Sequence, residues 1–183
     1  MPHRFHRLAI AVAAIVLPAS AVAADLAGYV LYFQSFGDWS AICARDEAAG
    51  IVTCAAESPS PTSATPPAII VRVAETESGT FAVSAIFRAN VASGALAALR
   101  VDDGADHVGP LDAGYEVHFG PGESGALVSE MLDGRLLSLR AAGFGSNAQA
   151  IHVGVPLAAF GSAFNQMRVS LRQHGRIRDL NPP

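Results

Sequence analysis

Five sets of residues carry the types and spacings from which chemistry could be built. Cys43 and Cys54 are the only two cysteines, and two thiols can oxidise to a bridge or supply half of a metal site. Asp102, Asp103, Asp106 and His107 place four potential ligands within six residues. Such a cluster could bind a cation weakly, but aspartate and glycine are also what tight turns use for backbone reasons. The alternating oxygen ligands and distant glutamate of an EF-hand are absent. Ser124 lies between Gly122 and Gly125, yet a nucleophile elbow needs glycine two residues after the serine, where this chain has Ala126. Residues 143–146 hold two glycines and no basic partner, so they read as a turn and not as a phosphate cradle. Arg168, Arg172, Arg176 and Arg178 form a basic stripe in an acidic chain. Such a stripe either pairs with the protein's own carboxylates and solvent or docks on an acidic partner or anionic lipid.

Histidine is the commonest acid, base and ligand near neutral pH. Here His118 and His152 fall on outward positions of expected strands, His107 in a turn and His174 beyond the last helix, so a solvated surface is expected for each. No catalytic residue, metal site or cofactor is expected from these spacings.

The elements that must position these groups are mostly strands. Around the cysteines, Trp39, Ala41 and Cys43 alternate on one arm and Val52, Cys54 and Ala56 on the other, with a polar turn over residues 45–50. Alternation at period two puts both sulfurs on the buried face of a hairpin, and no histidine lies close enough in sequence to complete a metal site. A bridge closing a loop of about ten residues contributes on the order of 3 kcal/mol. On that face Trp39 is expected as a large core residue lying against the disulfide rather than as an exposed stacking platform. Asp38, after Gly37, is expected to satisfy local backbone groups.

Residues 29–33 form a short strand ahead of this hairpin. Four prolines in residues 58–67 cannot hold a sheet ladder, so an exposed connection is expected there. Ile69, Val71 and Val73, then Phe81, Val83, Ala85 and Phe87, alternate across a turn at 77–79. Residues 90–100 show no clean period and 101–109 read as a turn. Tyr115, Val117 and Phe119 are expected to face inward, with Glu116 and His118 outward.

Residues 124–140 admit two readings. Asp133-Gly134 could be a two-residue hairpin turn; a helix carrying Leu132, Leu136 and Leu139 on one side and stopping at Gly143 is favoured. Residues 149–155 form another strand. Pro156 opens a helix with Leu157, Phe160, Phe164, Met167 and Leu171 on one face and Asn165, Arg168 and Arg172 on the other. The expectation is an all-β protein: a β-sandwich or partly closed barrel of six to eight strands with one or two peripheral helices. A mixed α+β sheet is the alternative.

Arg4 and Arg7, the apolar run over residues 8–17, Pro18 and small residues to Ala24 have the form of a secretory signal peptide. Ten apolar residues are about half of the roughly 20 that cross a bilayer, and no later run approaches that length, so no transmembrane segment is expected after cleavage. Cleavage at residue 24 leaves 159 of the 183 residues, with ten basic against 16 acidic side chains and a net charge of −6. Nucleic acid is therefore an unsuitable partner. The expected organisation is a signal peptide over 1–24, one domain over 25–175 and a fraying tail over 176–183. An oxidising compartment favours a single structural bridge.

Phe36-Gly37-Asp38-Trp39, with Cys43 four residues after the tryptophan and Cys54 beyond a polar turn, resembles the invasion-associated locus B (IalB) family of exported proteobacterial proteins. The likeness extends to Leu99-Arg100-Val101-Asp102-Asp103-Gly104, a strand entering an Asp-Gly turn, and to Val155-Pro156-Leu157-Ala158-Ala159-Phe160, a strand entering an amphipathic helix. The chain departs from the family in lacking a second cysteine pair in residues 115–129 and in its proline-rich insertion after Cys54. The resemblance implies a periplasmic, secreted or cell-surface β-rich domain without catalytic residues. The leading expectation for this chain is that it works by binding another macromolecule, an envelope or host protein, in envelope maintenance or at the host interface. Two other classes are kept: a small-molecule or lipid-binding domain with a pocket between sheets, and an enzyme whose site gathers Asp102, His107 and His118.

Overall fold

The computed structural model describes residues 29–46, 49–59, 69–75, 79–88, 91, 94–143 and 150–175. The expected signal peptide, most of the proline-rich connection, residues 144–146, Arg176, Arg178 and the expected tail therefore lie outside the described residues.

Ten strands and two helices follow one another as β1 (Tyr29–Phe36), β2 (Trp39–Arg45), β3 (Val52–Ser58), β4 (Ile69–Glu75), β5 (Phe81–Phe87), β6 (Leu96–Val101), β7 (His107–Pro110), β8 (Glu116–His118), α1 (Pro121–Asp133), β9 (Leu136–Ala141), β10 (Ile151–Pro156) and α2 (Phe160–Gly175). They build two antiparallel sheets, a six-stranded one in the order β1-β2-β3-β4-β5-β8 and a four-stranded one in the order β10-β9-β6-β7. The sheets do not close into a barrel, and the architecture is a sandwich.

Alternation puts one apolar set on the inner face of each sheet. Trp39, Ala41, Cys43, Cys54, Ala56, Val71, Val73, Val83 and Ala85 are buried from the larger sheet, and Ala97, Leu99, Val101, Leu137 and Leu139 from the smaller, in one continuous core. Cys43 stands directly opposite Cys54 in the β2–β3 register, and the two are joined by a disulfide. Gly37 and Asp38 make the two-residue turn between β1 and β2; glycine is needed at the first position, where φ is +59°.

Helix α2 lies against β2 and β3. Phe160, Ala163, Phe164 and Met167, at helical spacing, fill the core there, with the Phe160 ring 4.8 Å from Trp39 and Phe164 5.2 Å from Phe81. Helix α1 is fixed on β5 by Ser124, whose buried hydroxyl donates to the Phe119 carbonyl at 2.9 Å and accepts from the Val83 amide at 3.1 Å.

Several expectations are corrected. The described residues hold ten strands where six to eight were expected, because residues 96–101 and 107–110 pair as a hairpin and 136–141 form a third strand beside them. The period of 90–100 was hidden by apolar residues on the solvent side, Leu96 and Ala98. The favoured helix ends at Gly134, not Gly143. A Cβ at Gly134 would lie 2.2 Å from Val101 Cγ1 and 2.9 Å from the Glu130 carbonyl oxygen, so the chain turns where only glycine fits, and Leu136 begins a strand with its side chain exposed.

Pro156 ends β10 instead of opening a helix, and α2 begins at Phe160. Tyr115 does not face inward: it sits in a turn at φ +61° and is 43% exposed. Asp112 closes that turn by accepting from the Gly114 and Glu116 amides at 2.8 and 2.9 Å. Its neighbour Glu116 is not solvated but 8% exposed.

Candidate functional site

The residues singled out by type scatter into separate structural tasks. Asp102 accepts from the Arg135 and Leu136 amides at 3.1 and 3.0 Å, holding the start of β9 to the β6–β7 turn. Asp106 pairs with Arg140. His107 lies in β7, not a turn, and its side chain is only 11% exposed, with Nδ1 3.5 Å from Glu123 Oε1 and Nε2 3.1 Å from Glu130 Oε2. The two glutamates meet opposite ends of the imidazole, so their oxygens cannot converge on one ion with it. Among the described residues no group of three such side chains is placed to hold a metal. His118 lies near Asp112 and Glu116, at 3.6 and 3.7 Å, away from His107. Asp102, His107 and His118 thus have separate partners and do not form one catalytic constellation.

Ser124 is a buried structural residue of α1. An open cleft of about 320 Å³ lies beside α1, with Asp102, Glu130 and Asp133 on its wall. His174 is in α2, its ring 6.4 Å from Tyr32.

The arginine stripe divides. Arg168 donates from Nε to Glu75 Oε2 at 3.1 Å and lies 5.8 Å above the rings of Phe81 and Phe164, a set of contacts that fastens α2 to the sheet. Arg172 is exposed. Trp39 is fully buried and donates its indole N–H to the Pro156 carbonyl at 2.8 Å, which makes it core, not a platform.

A different surface carries unpaired charge. On the outer face of the six-stranded sheet, the register aligns Ser40, Glu57, Arg72, Ser84 and His118 in one transverse row. There Arg72 stands opposite Glu57 and donates to its carboxylate at 3.3 Å, so cation and anion cancel within the sheet. The outer face of the four-stranded sheet is built otherwise. One row reads Val108, Ala98, Arg140 and His152, and the next reads Arg100, Ser138 and Gly154.

Arg100 faces a serine, not a carboxylate. Its Nε is buried without a hydrogen-bond partner, and no ion pair to it is found among the described residues. Arg140, diagonal to it and hence about 7–8 Å away, is paired with Asp106. Small residues, Ala98 and Ser138, separate the two, and the exposed Leu96, Val108 and Leu136 stand around them. A guanidinium in such a place can take a carboxylate in a two-pronged hydrogen bond. Sequence reasoning missed this face. Reading 136–141 as a strand, from the alternation of Leu137, Leu139 and Ala141, would have set Arg140 on the outward side.

No protein-family model matches the sequence, and a comparison with curated proteins finds no match. Among solved structures, invasion associated protein B of Bartonella henselae superposes with a TM-score of 0.61, at 18% identity, covering 78% of this chain and 98% of its own. The chain has the fold of invasion associated protein B. A Ca2+-stabilized adhesin of an Antarctic bacterium that binds ice overlaps over 63% of this chain and 29% of its own length, at 17% identity and a TM-score of 0.32, too slight a likeness to bear on the architecture. In this chain the tryptophan-cysteine hairpin and α2 share one core.

Proposed function

We propose that this chain is an exported protein of the IalB type, periplasmic or at the cell surface, that acts by binding another macromolecule in envelope maintenance or at the host interface and not by catalysis. The observation that carries the reading is the fold shared with invasion associated protein B over nearly the whole of that protein. The Cys43–Cys54 disulfide supports it, since such bridges persist in oxidising compartments. Arg172, exposed on α2, is one residue at which a partner would dock, and Arg176 and Arg178 follow it in the sequence.

The test is fractionation of a Gram-negative host expressing the full chain, with the mature N-terminus read by mass spectrometry. A periplasmic or surface product beginning near residue 25 with no free thiol is the expected result. A cytoplasmic product retaining Arg4 and Arg7, with both thiols free, overturns the reading.

A further inference from the structure

We propose that the outer face of the four-stranded sheet is the surface on which an acidic protein partner docks, with Arg100 and Arg140 receiving its carboxylates. This rests on the binding function proposed above and names its surface and the chemistry of its partner.

Three features carry it. Arg100 is a cation with a buried, unpartnered Nε opposite Ser138, whereas Arg72 in the equivalent situation on the other sheet is met by Glu57. Nε itself is closed to the outside, so a carboxylate from a partner would meet the guanidinium at its terminal nitrogens, which are not buried and have no partner among the described residues. Arg140 stands diagonal to Arg100 in the neighbouring row, and Asp106 balances only one of the two arginines. Leu96, 62% exposed, with Val108 and Leu136, supplies apolar area around the charges. Arginine is among the residues enriched at interface centres.

The partner is a protein and not an anionic membrane or polyanion. The chain carries a net charge of −4, so its overall field repels an extended anionic surface. A discrete pair of carboxylates within about one screening length, roughly 8 Å, responds chiefly to the two arginines beside it. Basic patches that hold lipid surfaces usually bring about four to eight cationic residues, and this face has two arginines.

The experiment places the photo-crosslinking residue p-benzoylphenylalanine at Val108, and separately at Arg172, in the full chain exported in its native envelope. Adducts are mapped by mass spectrometry. The expected result is an adduct at Val108 whose partner peptide contains carboxylates. It should fall at least roughly tenfold in both the Arg100→Gln/Arg140→Gln and Arg100→Glu/Arg140→Glu variants, with urea midpoints of the Gln variant unchanged. An adduct insensitive to both variants, an adduct to lipid, or a partner peptide without acidic residues overturns the proposal. Adducts at Arg172 alone overturn this face while leaving the binding function standing. Adducts at neither position overturn both.

Discussion

Trp39 donates its indole N–H to the carbonyl oxygen of Pro156 at 2.8 Å, across 117 residues of chain. The bond joins the first strands of the large sheet to the point where β10 gives way to α2, and the Phe160 ring lies on the same indole. Trp39→Phe keeps most of the apolar volume but leaves the Pro156 carbonyl unpaired, and should lower stability by about 1–3 kcal/mol. Trp39→Ala should lower it by about 3–5 kcal/mol. Urea unfolding followed by far-ultraviolet circular dichroism checks both, and a Trp39→Phe variant as stable as the parent would show that the hydrogen bond contributes nothing beyond packing.

Cys43 and Cys54 are separated by 11 positions and fully buried. Cys54→Ser should lower stability by about 2–4 kcal/mol, measured as a shift in urea midpoint against the oxidised protein. Thiol titration before and after reduction supplies the control. Free thiols in the unreduced protein would contradict the bridge.

Two glycines are required for different reasons, and substitution separates them. Gly37 has φ +59° with its nearest neighbour 3.7 Å from a built Cβ, so Gly37→Ala is strained in backbone only and should cost about 1–2 kcal/mol, less as Gly37→Asn. Gly134 has φ −86°, which any residue adopts, but its Cβ would overlap Val101. Gly134→Ala should cost about 1–3 kcal/mol, and Gly134→Asn more. Asparagine improving on alanine at both sites would refute the distinction.

Arg168 and Arg172 lie four residues apart on α2 in different circumstances. Arg168 is 39% exposed at its side chain and bonded to Glu75, so solvent screening keeps Arg168→Gln to about 0.5–2 kcal/mol, much of it from the stacking on Phe81 and Phe164. Arg172→Gln should stay within about 0.5 kcal/mol of the parent. Thermal unfolding of the pair distinguishes the fastening residue from the exposed one.

Alternation was legible wherever the outward residues were polar or small. Ile69, Val71 and Val73 of β4 and Trp39, Ala41 and Cys43 of β2 sit on the inner face as their spacing predicts. It failed where outward positions were apolar. Leu96 and Ala98 hid β6, and Leu136 gave residues 124–140 a helical look that broke at a glycine chosen for close approach. Parity also broke at Tyr115, where a positive φ turned one ring out of the expected series. The candidate face was illegible for a further reason. Arg100 and Arg140 become diagonal neighbours only through the β6–β9 register, and no local pattern in either strand announces the other.

The covering of β2 and β3 by α2, the last described element, has a consequence for biogenesis. A chain that emerges N-terminus first displays Cys43 and Cys54 long before Phe160, Phe164 and Met167 exist outside the translating or translocating machinery. An oxidant can therefore reach the two thiols during emergence, and they become inaccessible only when the C-terminal helix docks. A nascent chain stopped ahead of residue 160 would leave the tryptophan and its neighbours bare, a natural mark for quality-control proteases.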